Sequence, residues 1–164
     1  SGAMRLRFNP SDSSLWIGQT GRGWRSKGGS TYALQRISYD PAVPVDAIKT
    51  LKVTPQGFDI HFTQAQSGAD ETQNVKCHSW YYLNSEKYGS PEQGKREESI
   101  TASHWNAEKT ILHLTLKDFK VAQKKDSSDS SRVYELNLAQ TAFGKKNGTF
   151  LAKAYYTLHH IPLP

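Results

Sequence analysis

Four aromatic rings, Trp80, Tyr81, Tyr82 and Tyr88, fall within nine residues of a chain that is otherwise strongly polar. Flat rings of this kind pack against the apolar C–H faces of sugars, whose hydroxyls then need partners such as Asn, Gln, Arg and Asp. A second grouping is Trp24, flanked by Arg22 and Arg25 within the glycine-rich residues 21–29. There, stacking and guanidinium hydrogen bonds would act together on hydroxyls or carboxylates. Trp105 is a further ring, while Trp16, inside the apolar run Leu15-Trp16-Ile17-Gly18, is assigned to the core. The candidate carbohydrate-binding set is therefore Trp24, Arg22, Arg25, Trp80, Tyr82, Tyr88 and Trp105. In the competing reading the rings fill a sandwich core and Trp24 pins its loop to the body.

Other chemistry has little to work with. None of the six histidines has a metal-ligand spacing, and the adjacent His159 and His160 would point to opposite faces of a strand. A metal site would have to be assembled across strands, from His61, His113 and a carboxylate. No G-x-S-x-G is present. Gly21-x-Gly23 lacks the third glycine and the helix of a dinucleotide fingerprint. Glu86, Glu92, Glu97 and Glu98 cluster in what reads as a solvated loop, not as a pair flanking a glycosidic bond. Nucleobases also stack on aromatic side chains, but there is no aromatic RNP signature and the basic residues do not concentrate around the rings. The expectation is a segment that is not itself an enzyme, holds no cofactor and takes no nucleic acid.

The composition agrees. Lys and Arg number 21 against 15 Asp and Glu, a formal net charge of +6 over 164 residues. That bias suits a polymer bearing carboxylates or sulfates, although Lys124-Lys125 and Lys145-Lys146 are isolated pairs and Lys95-Arg96 is answered by Glu97-Glu98. The single cysteine, Cys77, excludes an internal disulfide. No apolar run approaches the ~20 residues that cross a bilayer. Ser1-Gly2-Ala3-Met4 reads as a tag scar, so residues 5–164 are taken as one domain cut from a longer protein.

Strands must position these side chains. Residues 58–63 alternate Phe58, Ile60 and Phe62 against Asp59, His61 and Thr63, a strand with one buried face. Leu112, Leu114 and Leu116 repeat the pattern, as do Tyr134, Leu136 and Leu138. Further strands are read at 32–39, 48–54, 75–83, 99–105 and 152–160, with the 75–83 strand sending Trp80 and Tyr82 to one face and Tyr81 to the other. The long segment 84–98 reads as a loop, 64–74 as a polar connection, and the low-complexity residues 124–131 and the basic turn 144–149 as loops. Asp40-Pro41-Ala42-Val43-Pro44 is the best boundary, so that 5–40 forms an N-terminal extension from a preceding domain. About eight or nine short strands with regular turns predict an all-β, antiparallel, immunoglobulin-like β-sandwich.

Phe8-Asn9-Pro10, Leu15-Trp16-Ile17-Gly18 with Gly21-Arg22-Gly23-Trp24, Leu34-Gln35-Arg36-Ile37, Phe58-Asp59-Ile60-His61-Phe62, Ser79-Trp80-Tyr81-Tyr82 with Tyr88-Gly89-Ser90-Pro91, and Tyr155-Tyr156-Thr157-Leu158 follow one another along the chain. In this order they resemble the C-terminal region of large secreted bacterial proteins that carry a sorbosone-dehydrogenase-like, quinoprotein-type β-propeller and often a cytochrome c domain. The resemblance implies an immunoglobulin-like sandwich, with the residues up to Tyr39 following or completing the propeller, in a secreted or periplasmic redox or polysaccharide-degrading protein. The chain departs from the redox parts of that family. It has no C-x-x-C-H and no repeated blades, so haem and quinone would belong to other domains. The expected role is a non-catalytic accessory module that binds carbohydrate through exposed aromatics. The alternative is a docking domain that packs against a propeller or cytochrome partner of the same parent chain, without a glycan ligand.

Overall fold

The structure, a computed structural model, describes residues 2–21, 30–67, 73–83, 86, 88–119, 131–139 and 153–162. Among them are eleven strands and no helix, and every strand pairing is antiparallel. The chain divides into two compact units, Ser1–Pro44 and Val45–Pro164. The division falls at Pro44, where Asp40 caps the turn by accepting from the backbone N–H of Ala42 and Val43.

The first unit is a three-stranded meander, β1 (Gly2–Asn9), β2 (Ser14–Thr20) and β3 (Tyr32–Ile37), in the order β1-β2-β3. β1 takes in Gly2, Ala3 and Met4, the residues read as a tag scar. Its hairpin with β2 closes through side chains that satisfy the turn. Asn9 Oδ1 accepts from the Ser11 N–H at 3.1 Å, Asp12 Oδ1 accepts from the Ser14 N–H at 3.0 Å, and Ser13 adopts a φ of 54°.

The second unit is the β-sandwich. Its strands are β4 (Ile48–Thr54), β5 (Gly57–Phe62), β6 (Val75–Tyr81), β7 (Gln93–Glu98), β8 (Ile100–Trp105), β9 (Ile111–Leu116), β10 (Arg132–Leu138) and β11 (Lys153–Leu158). They form two four-stranded sheets, β4-β5-β9-β8 and β11-β10-β6-β7. Between them lies one core, built by the alternations in the sequence: Phe58, Ile60 and Phe62 from β5, Leu112, Leu114 and Leu116 from β9, Tyr134, Leu136 and Leu138 from β10, Val75 and Cys77 from β6. The ring of Phe58 is central, with those of Phe119, Tyr134 and Tyr156 at 5.2, 5.3 and 5.5 Å. Gly57 begins β5 because the backbone of Leu114 leaves no room there for a Cβ.

Two expectations are corrected. The segment read as the loop 84–98 contains β7, whose sequence Gln-Gly-Lys-Arg-Glu-Glu has no apolar residue. It is an edge strand whose main chain pairs with β6, with Lys95, Arg96 and Glu97 exposed and Glu98 turned toward the sandwich, a pattern that guards sheet edges and hides them from hydrophobic periodicity. The strand read at 75–83 ends at Tyr81, after a register shift between Ser79 and Tyr81. The residues read as loops at 124–130 and 144–149 lie outside the described residues.

Candidate functional site

Trp80 projects from the outer face of the β11-β10-β6-β7 sheet, since the inward residues of β6 are Val75, Cys77 and Ser79 and Trp80 is absent from the core cluster. It is nevertheless only 4% exposed. Lys95 Nζ lies 5.0 Å from its ring centroid and Tyr155 meets it edge-on at 6.4 Å. Its Nε1 is buried and makes no hydrogen bond. Trp105 packs against the core, with its ring 5.5 Å from that of Phe62. The Trp80 indole offers no free stacking face, and that of Trp105 is half-buried against the core. Tyr82 and Tyr88 are exposed, and Trp24, Arg22 and Arg25 lie outside the described residues. Among the described candidates, Trp80 and Trp105 pack within the fold while Tyr82 and Tyr88 are exposed, and no open platform combines them.

On the opposite sheet a row of directly paired residues crosses all four strands, Lys52, Asp59, His113 and His104. His113 Nδ1 is 2.7 Å from Asp59 Oδ1, and the two imidazoles stack at 4.5 Å. His61 stands beside them on β5. Burial, then the charge of Lys52, lowers its pKa from the ordinary value, with its buried Nε2 unpaired. Among the described residues no group of three or more His, Cys, Asp or Glu side chains is placed to hold a metal ion.

Inside the sandwich, at the β10 end of the core, the guanidinium of Arg132 is 7% exposed. It donates to Ser79 Oγ at 2.7 Å, to the Ser79 carbonyl at 3.2 Å and to the Gly94 carbonyl at 2.6 Å. Ser79 also bonds Glu98, which accepts from Arg96 Nε at 2.7 Å. Gly94, at φ +53°, keeps open the space taken by the ring of Tyr81, since a Cβ there would sit 2.6 Å from Tyr81 Cε1. Burial, then Glu98, pushes the neighbouring Tyr134 hydroxyl up to about 12. This network is closed on itself and reads as structural.

The unusual surface is the sheet of the first unit, whose register sorts its side chains into two unlike faces. Leu6 pairs with Ile17 and Phe8 with Leu15, and Leu15 pairs in turn with Ile37. One face therefore carries Leu6, Phe8, Leu15, Ile17 and Ile37, with Gln19 and Gln35 bonded to each other at one end, and Leu6, Phe8 and Ile37 are 55%, 63% and 53% exposed. On the other face Trp16 stands between Arg7 and Arg36, both directly opposite it, while Arg5 and Leu34 flank Gly18 and Tyr32 faces Thr20. The assignment of Trp16 to the core is overturned, because it sits on this second face with its ring exposed. So is the expectation that basic residues do not gather around the rings. Arg36 lies 6.0 Å over the Trp16 ring and bonds Asp12 Oδ2 at 3.0 Å.

Among the described residues no helix is long and apolar enough to cross a membrane. Comparison of the chain with family models, with curated proteins and with solved structures gives no match.

Proposed function

We propose that the chain is a non-catalytic accessory module of an exported multidomain protein, and that its three-stranded sheet docks through its apolar face onto a neighbouring β domain of the same parent chain. The observation that carries this reading is the exposure of Leu6, Phe8 and Ile37 together on one side of the three-stranded sheet. A sheet with one apolar face is stable only when that face is covered, and 44 residues lie near the size below which a single core fails. Clustered exposed apolar side chains of this kind mark interaction sites.

The sandwich then serves as the scaffold, and we read it as immunoglobulin-like. Its order β4-β5-β9-β8 against β11-β10-β6 follows the A-B-E-D against G-F-C pattern of constant-type domains, with β7 added beyond β6. The burial of Trp80 and the packing of the half-buried Trp105 against the core lend no support to carbohydrate stacking at those two positions.

The test is a double variant, Leu6→Ser with Phe8→Ser. The chain alone should sediment as a monomer and bind an apolar fluorescent dye, and the variant should lose the dye while keeping the sandwich's unfolding transition. A dimer that the variant dissolves would instead assign the face to a second copy. Absence of dye binding would count against an open docking face.

A further inference from the structure

The second face of the same sheet has a composition that apolar docking does not explain. Arg7, Trp16 and Arg36 form one row across the three strands, and the next row is Arg5, Gly18 and Leu34. Paired side chains on neighbouring strands stand about 5 Å apart, so the register sets Arg7 beside the indole on one strand while Arg36, on the other, lies over its ring at 6.0 Å. Gly18 leaves the floor of the sheet bare beside that indole, and a Cβ built there meets only Arg5, at 3.9 Å. The result is a notch beside the exposed indole, with Arg7 and Arg5 at its rim, Arg36 held at 3.0 Å by Asp12 and, in Asp12 Oδ2, a carboxylate oxygen at its side.

We propose that this notch binds a carboxylate-bearing polysaccharide. A pyranose presents a C–H face to Trp16, its carboxylate meets the forked donors of Arg7 or Arg36, and its hydroxyls find Asp12. A single-stranded nucleic acid is a poorer fit. Successive bases need successive stacking rings along a basic groove, and here Trp16 is boxed between arginines with a carboxylate at its side, while the other exposed ring of this face, Tyr32, stands two rows away. The site is on the face opposite the docking surface, so the two readings fail separately.

The experiment is affinity electrophoresis of the full chain in gels containing polygalacturonate, its methyl ester, or an oligonucleotide. Polygalacturonate should retard the chain, and the methyl ester, which keeps the rings and loses the charge, should not. Raising salt from ~0.05 to ~0.5 M should weaken retardation as the Debye length shrinks. Arg7→Glu, which leaves the apolar face untouched, should weaken binding by about tenfold or more. Trp16→Ala should do the same with the sandwich's unfolding transition unchanged. The proposal is overturned if the chain is not retarded by polygalacturonate, if Arg7→Glu leaves retardation intact, or if the oligonucleotide binds as tightly.

Discussion

Lys95 closes over Trp80, its ammonium 5.0 Å from the indole centroid, on what would otherwise be the open outer face of the sheet. An indole buried in this way acts as a wedge between the β6–β7 edge and Tyr155 of β11. Trp80→Ala should therefore destabilise the sandwich by about 3 kcal/mol, in the range for truncating a large buried ring. Urea unfolding measures it, and a change under ~1 kcal/mol would show the ring to be less engaged than its burial implies.

The Arg132 guanidinium answers three acceptors at once. Its removal takes the buried donor from the Ser79 and Gly94 carbonyls and leaves Glu98 with Ser79 and the more exposed Arg96 as its partners. Arg132→Ala is expected to cost about 3 kcal/mol, as for breaking one side of a buried ionic network. Replacing Arg132 by Met and Glu98 by Leu together should recover part of that loss in the same denaturation experiment, because the charge then left without its partner, Arg96, is exposed to water and no buried charge of this network remains.

The core strands were legible because a sheet buried on one face writes a period of two into its sequence. Phe58-Ile60-Phe62, Leu112-Leu114-Leu116 and Tyr134-Leu136-Leu138 carry it without ambiguity, and all nine are buried. β7 was not legible, since an edge strand takes its structure from main-chain pairing and Lys95, Arg96, Glu97 and Glu98 reveal nothing of a face. The candidate site was harder still. Arg7 and Arg36 are far apart in sequence and meet at Trp16 only through the two registers of a meander. A tryptophan between Leu15 and Ile17 looks like core until the alternation sends its neighbours to one face and it to the other. The same limit hid the Asp59–His113 contact, whose partners are 54 positions apart.

His61 gives the sandwich a pH dependence of definite sign. Burial, followed by the charge of Lys52, lowers its pKa below 6.5. The unfolded chain then binds a proton that the folded chain resists, so stability is full above about 6.5 and falls as pH drops through the folded value. The urea midpoint should decline between about pH 7 and 5, and His61→Gln should flatten the decline. A midpoint that rises on acidification would reverse the assignment.

Lys109 occupies a left-handed conformation, φ 53°, in the turn that joins β8 to β9. The turn is already held by Asn106, whose Oδ1 accepts from the N–H groups of Thr110 and Ile111 at 2.9 and 2.8 Å. Lys109→Gly removes the steric cost of a side chain there and should stabilise the sandwich by about 0.5–1 kcal/mol, read as a higher thermal midpoint.

The central claim is that the three-stranded sheet is completed by another domain, and native-state hydrogen exchange on the chain alone tests it most directly. The account predicts that amides of β2, the central strand of that sheet, exchange orders of magnitude faster than those of β10, an interior strand of the sandwich, and slow down when the adjoining domain is supplied. Protection of β2 equal to that of β10 in the chain by itself would contradict the account, because a sheet that is already complete has no need of a partner.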